Sequence, residues 1–270
     1  MYKLIACDLD ETLLNNQAEV QEANKAAIKK VTAKGIKFVP ATGRSFSAVQ
    51  GILKEIGLYD KPNEYVISYN GGCISENKNN HILECSPLDF ETAERLFQIG
   101  KKEDVCIHIY TLENIYLFNP NDEELNYISN RLNVKVVNFD NLSSIKNQSI
   151  IKLIFQNLDL DYLKQIQNQI ENDNFNLNIS YSANRYLELN SQGVSKGAGL
   201  LDLAKKLNIN PEETLAIGDN LNDLSMIQDA GLGIGISNAA PILKNYCDYI
   251  TKNDNNHGGV AEAIDKFILS

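Results

Sequence analysis

The chain has 270 residues, 43% of them hydrophobic, and a formal net charge of -10 at pH 7. That length supports a large core in one or two domains, and the negative charge argues against partners held by bulk attraction to nucleic acid or an anionic membrane. An anionic small molecule stays admissible if a metal ion and a few placed cations supply positive charge locally. The first apolar run, residues 4–7, stops at Asp8, too short for a signal-peptide core or a membrane span, and no later run approaches membrane length. The five cysteines (Cys7, Cys73, Cys85, Cys106, Cys247) are scattered and form no CxxC pair. They read as reduced, mostly buried thiols of a cytoplasmic protein rather than a disulfide framework or a zinc site.

In chain order, residues 4–7 predict a short buried strand, and Ala23, Ala26, Ala27 and Val31 fit one face of a helix over 20–33, with Gly35 as its stop. A strand over 36–39, a turn containing Gly43, a helix over 45–56 and a strand over 65–68 follow. Strands alternating with helices imply a parallel sheet covered on both faces. The middle differs. Helices over 91–101, 123–131 and 160–170 are mixed with strands over 105–110, 115–118, 134–139, 150–155, 177–181 and 186–189, an α+β pattern. The α/β rhythm then returns: helix 196–207, strand 214–217, helix 221–228, strand 232–236, helix 239–246, strand 249–250 and helix 260–269. The expected organisation is a core of residues 1–83 and 187–270 with a second domain, 84–186, inserted into it. The asparagine-rich pieces 77–80 and 253–256 read as polar loops, and no internal repeat is found.

Four separated segments carry candidate chemistry. Asp8-Leu9-Asp10-Glu11-Thr12 directly follows a buried strand, where ligands bind in open α/β sheets. Carboxylates at i and i+2 can converge on one metal and one substrate if the turn curls; otherwise they are solvated loop acids or caps. Ala41-Thr42-Gly43-Arg44 offers a small hydroxyl and a glycine that suits close approach of backbone N–H groups to phosphate, or is a plain strand-to-helix turn. In Gly193-Val194-Ser195-Lys196-Gly197, Ser195 is a candidate N-cap. Lys196 is out of step with the helix dipole, so it either holds phosphate or carboxylates or is an exposed lysine. Gly218-Asp219-Asn220-Leu221-Asn222-Asp223 again places carboxylates after a buried strand. Asp219 could give a hard oxygen ligand suited to Mg2+, while Asp223 and the asparagines could equally be helix caps.

Together and in this order, the segments resemble the haloacid dehalogenase superfamily, and within it the Cof-type hydrolases with a large α+β cap inserted after the second motif. The resemblance covers nearly the whole chain, is weakest in the middle domain, and includes the Asn70-Gly71-Gly72 turn and His257-Gly258-Gly259-Val260-Ala261. It implies a Rossmann-like parallel-sheet core and an Mg2+-dependent phosphatase acting on a sugar phosphate or similar small monoester. It further implies Asp8 as nucleophile and Asp10 as acid/base, the latter with a pKa raised by partial burial and neighbouring carboxylates. Mg2+ would lie between Asp8, Asp219 and the Asp10 carbonyl. Leu9, Thr42, Gly43, Lys196 and Asn222 would hold phosphoryl oxygens, with Asp223 in support and Arg44 either reading a second substrate group or forming a surface ion pair. The cap would close over the core and select the leaving group. Many family members have Gly where this chain has Glu11, which leaves that residue's role open. The rival readings are a phosphomutase or phosphotransferase on the same fold, a phosphoacceptor signalling module, and a non-catalytic binding protein. The expected partner is a small phosphate ester, without nucleic acid or membrane, and the expected state a monomer or weak homo-oligomer.

Overall fold

The computed structural model describes residues 1–129, 132–173 and 175–270. They divide into two compact units, Met1–Cys85 with Ser195–Ser270, and Ser86–Val194. The first unit begins with β1 (Leu4–Cys7), α1 (Glu22–Ala33), β2 (Lys37–Pro40), α2 (Gln50–Glu55), β3 (Tyr65–Ser68), β4 (Cys73–Glu76) and β5 (His81–Cys85). The second carries α3 (Phe90–Gly100), β6 (Cys106–Thr111), β7 (Ile115–Phe118), α4 (Asp122–Ile128), β8 (Val134–Val137), β9 (Ile150–Gln156), α5 (Leu160–Asn172), β10 (Leu177–Ser182) and β11 (Tyr186–Ser191). The first unit resumes with α6 (Lys196–Lys206), β12 (Thr214–Gly218), α7 (Leu224–Asp229), β13 (Leu232–Gly235), α8 (Pro241–Lys244), β14 (Tyr249–Ile250) and α9 (Gly259–Ile264).

Five parallel strands in the order β14-β13-β12-β1-β2 form the central sheet of the first unit. β1 is apolar at every position because both its faces are covered. Ile5 and Cys7 pack with Ile28 and Val31 of α1 and Val260 and Ile264 of α9. Leu4 and Ala6 face the other way, onto Leu200 and Leu203 of α6 and Met226 and Ile227 of α7. Each fully buried Leu or Ile of these layers contributes about 1.5–3 kcal/mol of burial. The first unit is therefore the α/β core expected from the sequence.

A six-stranded, largely antiparallel sheet, β10-β11-β9-β6-β7-β8, builds the second unit. Ile107, Ile109, Leu153, Phe155, Leu187 and Leu189 pack on Leu96 and Phe97 of α3 and Leu163 and Ile166 of α5. Alternation sends His108, Lys152, Glu188 and Asn190 to the opposite face, where all four are buried. β11 pairs with β9 and β10, so this unit runs on to Val194 rather than ending at 186. The helix expected over 123–131 is α4, and Arg131 lies outside the described residues. Among the described residues no helix is long and apolar enough to cross a membrane.

One expectation needs correction. Beside the expected strand β3, the strands β4 and β5, for which the sequence offered no reading, complete a small antiparallel sheet. Its register places Cys73 opposite Cys85, and the two are joined by a disulfide, so the expectation of five reduced thiols fails. Spacing could not show the pairing, because it comes from hairpin register across a separation of 12 residues. Cys7, Cys106 and Cys247 are free. Thiol titration of the unreduced, denatured chain should therefore find three groups, and Cys85→Ser should lose about 2–3 kcal/mol of stability. Five titratable thiols, or an unchanged melting temperature, would refute the bridge.

Candidate active site

The strand order sets the site. β1 lies between β12 and β2, so the chain turns in opposite directions on its two sides, and a crevice opens beyond the strands' carboxyl ends. The Asp8 N–H donates to the Ile217 carbonyl at 2.9 Å, and the Ala41 N–H to the Cys7 carbonyl at 2.8 Å. These bonds hold the segments that follow β1, β12 and β2 at one level.

Into that level α6 delivers a buried cation. Ser195 caps the helix, its Oγ accepting from the Ala198 N–H at 3.1 Å. The next residue, Lys196, is fully buried, and its Nζ lies 2.5 Å from Asp8 Oδ1 and 2.6 Å from Asp223 Oδ1. Burial alone would pull the lysine pKa down; the two carboxylates more than reverse this and hold it charged, well above its usual range. Asp223 Oδ2 accepts the N–H groups of Asp219 at 2.9 Å and Asn220 at 3.1 Å. Asp223 therefore orients both the lysine and the turn, uniting the two roles its sequence position left open. Thr12 Oγ1 donates to Asp219 Oδ1 at 2.8 Å.

Asp8, Asp219 and Asp223 each offer a carboxylate oxygen, all within 4.8 Å of one another. Asp8 Oδ2 and Asp219 Oδ2 receive no side-chain or backbone donor among the described residues. Burial, then Asp223, pushes the Asp219 pKa up to about 7, against the Thr12 hydrogen bond and Lys196. Asp8 is also raised, chiefly by burial, with Lys196 opposing and the neighbouring acids adding to it. Three buried carboxylates around one ammonium leave an excess of negative charge on hard oxygen donors, a set that fits a divalent cation such as Mg2+.

The remaining predicted residues fall into two groups. Thr42 is buried, its Oγ1 accepts the Arg44 N–H at 3.1 Å, and its N–H donates to Ile67 at 2.9 Å, so the 42–44 loop is fixed at the end of β2. Asp10 is not buried as expected. Its side chain is 58% exposed and gripped by Arg44, whose Nε donates to Oδ2 at 3.0 Å while its Nη2 contacts Oδ1. Arg44 thus forms an ion pair, with the acid expected to take part in proton transfer. Leu9 packs into the core, and Asn222 sits in the short turn Leu221–Asp223 with no side-chain hydrogen bond to a described residue.

Comparison with known proteins identifies the family. Residues 5–264 match the model of the family described as haloacid dehalogenase-like hydrolase. The chain is 30% identical over 287 residues to phosphatase YwpJ of Bacillus subtilis, covering 95% of this chain and 96% of the relative. It is 29% identical over 267 residues to the 5-amino-6-(5-phospho-D-ribitylamino)uracil phosphatase YcsE of the same organism, covering 99% and 96%. A solved haloacid dehalogenase-like hydrolase from Bacteroides thetaiotaomicron superposes with a TM-score of 0.87 at 28% identity, covering 99% and 100%. The chain belongs to the haloacid dehalogenase-like hydrolases.

Within that family the departure at Glu11 has a local explanation. Glu11 has φ +59, in the left-handed region where glycine is at ease, and its carbonyl accepts from Asn238 Nδ2 at 2.9 Å. The backbone does the work at this position, and Asn238 supports it from the loop after β13. Sequence reading missed Asn238, whose only signal is its place beyond a strand of the same sheet. It also missed the second unit's buried polar face, where Lys152 Nζ meets Glu188 Oε2 at 2.5 Å and His108 Nε2 lies 3.1 Å from Glu124 Oε1.

Removing the central cation should expose the charge balance. In metal-free buffer, Lys196→Met leaves Asp8 and Asp223 without their partner, an expected loss of about 3–5 kcal/mol near pH 8. Loss of the ammonium removes the group that opposes the raised Asp8 pKa, and a raised carboxyl loses stability as pH climbs through its folded pKa. The melting-temperature gap to the unmodified protein should therefore narrow toward pH 5. A gap that stays constant from pH 8 to pH 5 would show that the lysine does not balance these acids.

Proposed function

We propose that this hydrolase is a magnesium-dependent phosphatase that cleaves small phosphate monoesters through an aspartyl-phosphate formed on Asp8. The carrying observation is the buried set of Lys196 between Asp8 and Asp223, with Asp219 beside it and two carboxylate oxygens open. The relatives' names agree in reaction, and one of them acts on a phosphorylated ribityl compound. That supports a polyol or sugar phosphate as the substrate class.

Asp8 and Asp219 would hold Mg2+, with the Asp10 backbone carbonyl as a further oxygen ligand. When bound, the ion supplies the positive charge that lets an anionic nucleophile approach an anionic phosphate. The free oxygen of Asp8 attacks phosphorus, and the phosphorus–oxygen bond to the leaving group breaks. Asp10 gives that leaving oxygen a proton, then takes one from the water that hydrolyses the acyl phosphate, releasing inorganic phosphate and restoring Asp8. Lys196, the Thr42 hydroxyl, the N–H groups of Leu9 and Gly43, and Asn222 receive the charge on the transferring oxygens. Lys196 suits this because its ammonium is fixed before substrate arrives.

Asp8→Asn should reduce release of phosphate from an aryl phosphate by about three orders of magnitude or more while the melting transition stays cooperative. Turnover near the unmodified rate would remove Asp8 from the nucleophile role. Excess EDTA should stop the unmodified enzyme and Mg2+ restore it, and full activity under chelation would overturn the metal assignment.

A further inference from the structure

The turn after β3 is strained, and it touches two loops of the site at once. Tyr69, Asn70 and Gly71 follow one another with φ values of +54, +56 and +96. Three consecutive left-handed residues are uncommon, and for tyrosine the conformation is a true outlier. Such a backbone persists only where its surroundings over-determine it, and these cases gather at functional sites.

The surroundings here are the 42–44 loop on one side and the start of α6 on the other. The Tyr69 N–H donates to the Arg44 carbonyl at 3.0 Å and the Asn70 N–H to the Thr42 carbonyl at 2.9 Å. Asn70 is buried, and its Oδ1 lies 3.1 Å from where a Cβ on Gly43 would stand. The Tyr69 ring is buried edge-on to Phe46, just beyond that loop. On the far side, a Cβ on Gly71 would fall 2.0 Å from the Ser195 carbonyl oxygen and 3.3 Å from the Lys196 nitrogen. A Cβ on Gly199, one turn along α6, would come within 3.1 Å of the Gly71 Cα. The turn fills the space between the loop that carries Thr42 and Gly43 and the helix start that carries Lys196.

We propose that Asn70 and Gly71 are positioning residues. The Tyr69–Gly71 turn sets the separation between the Thr42–Gly43 donors and the Lys196 ammonium, and so the grip on the phosphoryl group. The inference rests on the phosphatase reading of the site. Neither residue needs to touch substrate. Its action lies in backbone hydrogen bonds to one loop and van der Waals contact with the other, so a displacement of either loop alters the phosphate cradle without removing a catalytic group.

Gly71→Ala tests this against a matched control. Gly35, between α1 and β2, has φ +80 and no atom within 4 Å of its would-be Cβ. Gly35→Ala therefore carries a similar backbone penalty without contact with the site. At a temperature where both variants are folded by circular dichroism, Gly71→Ala should lower kcat on p-nitrophenyl phosphate by about tenfold or more and weaken inorganic phosphate binding. Gly35→Ala should stay within about twofold of the unmodified enzyme in both. Asn70→Gly keeps the left-handed backbone but deletes the amide facing Gly43, and it serves if Gly71→Ala does not fold; its kcat should fall by about fivefold or more with little change in melting temperature. The proposal is overturned if Gly71→Ala, or Asn70→Gly in its place, retains kcat and phosphate affinity, or if activity falls only in step with melting temperature across all three variants. An unmodified protein that binds inorganic phosphate but turns nothing over would instead refute the phosphatase reading, with the effect of Gly71→Ala on that binding still deciding this one. A protein that does neither overturns both.

Discussion

The ammonium of Lys196, closed off from water between Asp8 and Asp223, is the constraint from which the site's architecture follows. Burying one unpaired cation is prohibitive, and burying a carboxylate alone is little better. Each of the three groups is tolerable only because the others are present. That mutual need ties the end of β1, the turn after β12 and the first residue of α6 to one point, although they are far apart in the chain. A lysine at a helix N-terminus is poorly matched to the helix dipole. Here the mismatch is outweighed by two carboxylates at hydrogen-bond distance, which decides between the functional cation and the exposed lysine that the sequence left open.

Within the cluster the acids divide by what their oxygens already bind. Asp223 has both oxygens engaged, one by Lys196 and the other by two backbone N–H groups, so it builds the turn and orients the lysine. Asp8 and Asp219 each keep an oxygen that receives no donor from the described residues. The Asp219 pKa is pushed up to about 7, first by burial and then by Asp223, because carboxylates are gathered there away from water. In the proposed reaction a divalent cation on these hard oxygen donors would offset that charge, and it would also answer the repulsion that a carboxylate nucleophile meets at a phosphate.

Much of this was legible in the sequence because it rests on strand ends. Residues 4–7 and 214–217 are apolar runs closely followed by acids, and an acid just past a buried parallel strand stands at the carboxyl end where ligands bind in open α/β sheets. The segment holding Thr42 was found by the same logic, and Lys196 by its place at a helix start. What depended on register was hidden. The β4–β5 hairpin is built from Cys73-Ile74-Ser75-Glu76 and a strand with little alternation, and the Cys73–Cys85 bridge exists only because that register sets the two residues opposite each other. In the second unit the alternation through residues 150–156 could be read, but alternation names two faces without saying which meets water. The polar face carrying Lys152 and Glu188 proved buried. Asp10 was placed wrongly for a related reason. Its exposure follows from the path of residues 9–13, and that path depends on a left-handed glutamate that no propensity would suggest.

Strain is distributed accordingly. The sheet that sets the level of the site has ordinary extended backbone, while the loops that finish it do not. Glu11 and Tyr69 are non-glycine residues held at φ +59 and +54, each at a cost of about 1–3 kcal/mol. Both are restrained by groups outside the phosphoryl cradle: the Asn238 side chain on the Glu11 carbonyl, and the Arg44 carbonyl together with a buried ring environment on Tyr69. A relaxed backbone at either point would turn the acid-bearing loop or the Thr42 loop away from β1. The chemistry can therefore be confined to a few side chains, because supporting residues from the loop after β13 and the turn after β3 fix where the backbone presents them.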